Sequence, residues 1–184
     1  MHIPTAFASL LLLPLALCAP PSPPNYGYPP TQAITKLTQG GYKFALTIDQ
    51  KQWSNLSQVM TEDIYYDSSA LGAGYGGLAV GLDQVRTVLE ETAPEGIYWE
   101  HLVTNLYLEK LNTPTNASSI TYITVSRWDP SALHDITKTY RIYYRCDDVW
   151  LLQDGNWKLS HSIVRNTGPR VEAPYFGSIS MSQE

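Results

Sequence analysis

Hydrophobic positions change their period once along this chain. From residue 31 to 48 the apolar residues Ile34, Leu37, Phe44, Ala45 and Ile48 recur at helical spacing, which predicts a first helix. Gly40-Gly41 interrupts it, at about 1 kcal/mol per glycine relative to alanine. The helix therefore either bends there or is closely approached by another element. If it runs through, Tyr42, Ala45, Leu46, Asp49 and Trp53 share one face and put a carboxylate beside apolar neighbours. The plainer alternative is that Asp49 ends or caps the helix before Gln50-Lys51-Gln52.

A second short helix is expected over 52–60, a short strand at Ile64-Tyr65-Tyr66, and a third helix over 81–91 carrying Leu82, Val85, Val88 and Leu89. Thr92-Ala93-Pro94-Glu95-Gly96 stops it. From there the pattern is β, with strands near 97–111, 118–128, 136–152 and 156–166. Asp129-Pro130-Ser131 separates the second long strand from the third, and Asp154-Gly155 is a tight hairpin signal. On the third strand Tyr140, Ile142, Tyr144 and Cys146 alternate onto one face, expected inside. On the first, His101 shares a face with Trp99, Val103, Asn105 and Tyr107. On the last, His161 shares a face with Trp157, Leu159 and Ile163.

Helices first and long strands afterwards make an α+β plan within one domain. Gly72-Ala73-Gly74-Tyr75-Gly76-Gly77 formally contains a dinucleotide-binding spacing, but the chain around it has no room for alternating β-α-β units. A glycine-rich loop is the simpler account.

Composition narrows the partners. The net charge of −5 gives no electrostatic footprint for nucleic acid. Tyrosine (13) and tryptophan (5) far outnumber phenylalanine (3). Such rings suit pocket walls, and equally a tyrosine-rich sheet surface. Residues 1–18 read as a signal peptide: an apolar run too short to span a membrane, followed by Ala16-Leu17-Cys18. Residues 19–30 hold six of the thirteen prolines and read as an extended linker. The folded domain is expected over 31–167, with a tail over 168–184. Export of a protein with no membrane attachment after signal removal is expected, and Asn55 and Asn116 stand in glycosylation sequons. Cys146 would then be the only cysteine left, expected as a buried apolar residue.

The segments Asp49-Gln50-Lys51-Gln52-Trp53, Asp63-Ile64-Tyr65-Tyr66-Asp67, Gly81-Leu82-Asp83, Glu100-His101 and Asp154-Gly155-Asn156-Trp157-Lys158-Leu159, in that order and spacing, resemble the SnoaL-like domains of the nuclear-transport-factor-2-like superfamily. Scytalone dehydratase is another member. The resemblance covers 31–167. It implies a cone-shaped, curved antiparallel sheet packed on three N-terminal helices around one enclosed pocket, and homo-oligomers through the sheet. It also implies a catalytic pair, which by position is Asp49 and His101. Tyr66, Tyr144 and His161 are further ligand-binding candidates. The dehydratase's second pocket histidine has no counterpart in Arg127-Trp128-Asp129, and His134 lies beyond a proline turn. The serine and asparagine that the dehydratase carries on its third long strand fall near Tyr144 and Cys146, and one of its tyrosines falls near Asp67. Scytalone itself is therefore not the expected substrate.

An Asp–His pair is sufficient for acid–base chemistry near neutral pH. The carboxylate fixes the tautomer, and the other ring nitrogen moves the proton. Dehydration, isomerisation or cyclisation of a small aromatic or polyketide-like ketone fits, without a cofactor. No nucleophile elbow, phosphate loop or metal-ligand spacing is present. The competing expectation is a non-catalytic exported protein that binds a small apolar ligand. A third is an interaction module whose pocket is vestigial.

Overall fold

The computed structural model describes residues 31–169, apart from 73, 74, 94 and 136–138. The expected signal peptide and linker, and all but the first residues of the expected tail, lie outside the described residues. Helix α1 spans Thr31–Asp49, strand β1 Met60–Asp67, β2 Leu78–Val80, helix α2 Leu82–Thr92, β3 Tyr98–Thr113, β4 Asn116–Trp128, β5 Tyr140–Gln153 and β6 Asn156–Asn166. The expected second helix is a 3-10 helix, Trp53–Gln58. Two shorter 3-10 turns, Ser69–Leu71 and Pro130–His134, complete the set. Among the described residues no helix is long and apolar enough to cross a membrane.

The six strands form one curved sheet in the order β2-β1-β6-β5-β4-β3. All neighbours are antiparallel except β1 and β6, which run parallel, so the sheet is mixed rather than wholly antiparallel. Local periodicity reports which face a residue takes, not which strand lies beside it; hence the parallel pair, and the short strand β2, were not foreseen.

Helix α1 runs unbroken through its glycines. It lies so close to the sheet that a Cβ on Gly40 would stand 3.2 Å from the Trp157 carbonyl oxygen, and one on Gly41 would stand 2.9 Å from Leu106 Cδ1. The two glycines thus exchange helix propensity for close approach. The buried face is Leu37, Gly41, Phe44, Ala45 and Ile48, whereas Tyr42 and Leu46 are exposed. With the helix running through, Asp49 shares a side with Tyr42 and Leu46 as the spacing predicts, but that side is largely exposed, and Asp49 stands where it meets the buried stripe. The helix ends as the Gln52 amide donates to the Thr47 carbonyl and the Lys51 amide to that of Ile48, with Lys51 in the left-handed region at φ 53°.

Extra residues decide which face of the sheet later side chains take, and two of them, on β3 and β6, bear on the site. Pairing passes from Val103↔Ile123 to Asn105↔Tyr122, leaving Thr104 over on β3. It passes from Val149↔His161 to Trp150↔Leu159, leaving Ser160 over on β6. Each is a β-bulge that reverses the alternation of its strand. Each extra residue also donates its hydroxyl to a carbonyl of the neighbouring strand: Thr104 to Tyr122 (3.0 Å) and Ser160 to Val149 (3.1 Å). The expected face grouping of His101 with Asn105 and Tyr107 is corrected accordingly. Leu106 and Leu108 turn inward, and Tyr107 is 62% exposed.

Candidate functional site

The concave face of β3, β4 and β5 carries alternate residues toward α1. On β5 these are Tyr140, Ile142, Tyr144, Cys146, Asp148 and Trp150, all buried. On β4 they include Thr121, Ile123, Val125 and Arg127, also buried. They enclose a cavity lined by Gly41, Phe44, Tyr66, His101, Tyr144 and Asp148, among others. Its volume is about 30 Å³, room for a few waters at most. A ligand of one or two rings must displace side chains to enter.

At one end of this cavity the C-terminus of α1 meets β3. The Asp49 carboxylate accepts the His101 backbone N–H at 2.9 Å (Oδ2) and 3.1 Å (Oδ1), and its Oδ1 lies 2.5 Å from His101 Nδ1. The His101 side chain is 7% exposed and that of Asp49 21%. Two contacts from one carboxylate fix both the strand and the ring that projects from it. The short Nδ1 contact calls for the proton on Nδ1, leaving the Nε2 lone pair as the ring's free acceptor. Asp49 is thus more than a helix end exposed to solvent. Trp99 packs its ring against the imidazole, centroids 5.3 Å apart.

Tyr66 and Tyr144 line this cavity and also a smaller adjoining one, bounded by Ser68, Tyr75, Val88 and Trp99, which His101 borders as well. Burial raises both phenols, Tyr66 well above its usual range, so each stays neutral and able to donate. Arg127 holds its guanidinium 5.4 Å from the Trp99 ring centroid and 5.6 Å from that of Tyr75, and burial lowers its pKa. It points inward from the stretch Arg127-Trp128-Asp129, which carries no histidine.

His161 is not brought to the cavity. The bulge at Ser160 turns it to the outer face, where it stacks on Tyr65 at 4.6 Å, and Ser162 takes the inward place instead. His134 ends its 3-10 turn beside a wider open groove that neither Asp49 nor His101 lines. The Asp67 carboxylate accepts from the Ser69 backbone N–H and hydroxyl, and these bonds lower its pKa. Among the described residues no three His, Cys, Asp or Glu side chains gather as a metal site would need.

The sequence reading missed Asp148, Thr121 and Ser162. Asp148 is 5% exposed and accepts from the hydroxyls of Thr121 (2.8 Å) and Ser162 (2.7 Å). Burial, which those two bonds only partly offset, raises its pKa to about 6. A signal for it existed, since the inward alternation of β5 continues through Cys146 to Asp148. Cys146 is buried and free, and burial raises its thiol well above the usual range.

The chain is similar to several solved structures. It shows 16% identity and a TM-score of 0.62 with a candidate scytalone dehydratase from Novosphingobium aromaticivorans, over 74% of this chain and 85% of that one. With LinA the values are 16% and 0.60, over 77% and 92%. With Aln2 from a Streptomyces species they are 11% and 0.61, over 75% and 93%. At these identities the likeness is one of fold. No curated protein matches the chain. The model of the SnoaL-like domain matches residues 30–163. With its helices packed in the curve of a six-stranded sheet, the chain belongs to the SnoaL-like domain family.

Proposed function

We propose that this is an exported, cofactor-free acid–base enzyme, a lyase, isomerase or cyclase, acting on a small aromatic or polyketide-like ketone. The observation that carries the reading is the Asp49 carboxylate clamping both the backbone and the Nδ1 of His101 at the cavity wall. In this reading His101 Nε2 takes a proton from the carbon next to the ligand carbonyl. Asp49 holds the tautomer and faces the imidazolium that forms. Tyr66 and Tyr144, as neutral phenols, can donate to the carbonyl oxygen as negative charge grows there. The same proton can return to another carbon, giving isomerisation, or to a departing hydroxyl, giving dehydration.

Exchange of the methyl protons of 2-acetonaphthone in heavy water, followed by NMR, tests this. The native protein should accelerate exchange. His101→Ala should abolish the acceleration, and Asp49→Asn, which disturbs the tautomer, should reduce it about 100-fold or more. Exchange at the buffer rate with the native protein overturns the enzyme reading.

A non-catalytic binding protein for a small apolar ligand is the second reading. It is favoured by the absence of a second histidine from Arg127-Trp128-Asp129, the stretch that by resemblance would carry it, and by the inward guanidinium of Arg127 there. In that case Asp49→Asn changes affinity modestly and no turnover is found in either form. Exposed Tyr98, Leu102, Tyr122 and Tyr143 on the outer sheet face support pairing of two copies there. Sedimentation of the native protein and of Leu102→Glu checks this, with a monomer in both counting against it.

A further inference from the structure

Asp148 has no part in the proton transfer just described, yet it is the least accommodated charge in the cavity wall. Each of its oxygens accepts one hydroxyl, from Thr121 on β4 and Ser162 on β6. A carboxylate has about four acceptor positions, so two such bonds leave capacity unused. No cation among the described residues forms an ion pair with it. Its charged neighbour Asp147 points to the other face and is engaged by Arg145 and Arg165. The helix wall opposite offers Gly41 and Phe44, and the adjoining β5 residues are Cys146 and Trp150. A desolvated carboxylate with neutral partners alone is costly to a fold, and such groups gather at functional sites.

Its position is equally specific. His101 stands in register with Val125 and, through it, with Ile142. Asp148 lies six residues further along β5, about 20 Å of strand and less across a concave face. The dyad and Asp148 therefore mark separated ends of one cavity whose middle is Tyr144, Cys146 and Ile123.

We propose that Asp148, flanked by Thr121 and Ser162, is a recognition site for a hydroxyl group of the ligand, at the end of the cavity away from His101. This rests on the reading of the cavity as a site for a small ketone, and narrows that class to hydroxylated aromatic ketones. A ligand hydroxyl can donate to an unused acceptor position of the carboxylate while Thr121 and Ser162 keep their own bonds to it. An ether has no proton to donate there.

Binding of three probes by titration calorimetry tests the proposal: 6-hydroxy-2-acetonaphthone, its 6-methoxy ether and 2-acetonaphthone. The native protein should bind the hydroxy compound at least about tenfold more tightly than either other probe, as expected for a hydrogen bond to a charged group. The preference should shrink in Asp148→Asn and vanish in Asp148→Leu. Equal affinity for the three probes in the native protein, or an undiminished preference in Asp148→Leu, overturns it. If either variant fails to fold, the hydroxy-against-methoxy comparison on native protein still decides. Accelerated exchange of 2-acetonaphthone without any hydroxyl preference overturns this proposal alone. Failure of all three probes to bind overturns the ketone reading with it.

Discussion

Replacing Asp148 with asparagine should stabilise the protein at neutral pH, and the gain should disappear in acid. Burial holds the Asp148 carboxyl at about 6, against 3.8 for an ordinary aspartate. Between those values the folded state binds more protons than the unfolded state, so stability falls as pH rises from about 4 to about 6, then levels off. A shift of roughly two units is worth about 3 kcal/mol at 1.36 kcal/mol per unit. Asparagine keeps the shape, and its amide can satisfy Thr121 and Ser162, whose hydroxyls can turn to accept. It stands in for the protonated acid. The variant should match the native protein near pH 4 and exceed it by about 2–3 kcal/mol at pH 7.5. Urea midpoints measured across that range provide the assay, and a melting rise of about 4–12 °C at pH 7.5 is the thermal equivalent. Asp67 and Asp147 slope the other way. The Ser69 hydrogen bonds lower Asp67; for Asp147, burial pushes upward but Arg165 and Arg145 outweigh it. Their stabilisation is lost as pH falls, and it largely cancels in the difference between the two proteins. A difference independent of pH, or a variant less stable throughout, would refute the argument and make Asp148 a structural tie between three strands.

Asp49→Ala leaves the His101 backbone N–H and Nδ1 without their acceptor, so urea denaturation should show a loss of about 1–3 kcal/mol; no loss would mean the clamp is replaced by water. Gly40→Ala should destabilise by about 1–3 kcal/mol despite alanine's helix propensity, because the carbonyl of Trp157, 3.2 Å from the new Cβ, belongs to the sheet backbone; a more stable variant would contradict the close approach of α1. Gly155→Ala meets nothing within 4 Å, so its cost of about 1–2 kcal/mol comes from φ of +75° alone, and chevron analysis should place it there without any change in the cavity. On secretion from a eukaryotic host, glycosidase treatment should lower the mass, and Asn116→Gln should remove more of that shift than Asn55→Gln. The Asn55 amide nitrogen donates to Gln52 at a 3-10 helix and has one hydrogen to spare for a sugar, whereas the Asn116 side-chain oxygen accepts from Asn112 in the β3–β4 turn region.

The order of elements was legible because it is local. Leu82, Val85 and Leu89 recur at the spacing of α2 and are buried as that spacing requires, and Asp154-Gly155 turns with both φ positive, at 51° and 75°. The inward face of β5 followed from alternation alone, far enough to have included Asp148. Local pattern fails where pairing decides. Whether Thr104 or Ser160 sits opposite a partner or is left over depends on the neighbouring strand, and each such extra residue reverses the side chains that follow it, up to the next irregularity. That is why His161, inward by alternation, stacks on Tyr65 outside, and why Ser162 was overlooked. The meeting of Asp49 with His101, 52 positions apart, was expected only through resemblance. What brings it about is the depth to which Gly40 and Gly41 let α1 settle on β3 and β6, a distance set by packing between elements and carried by no single segment of the sequence.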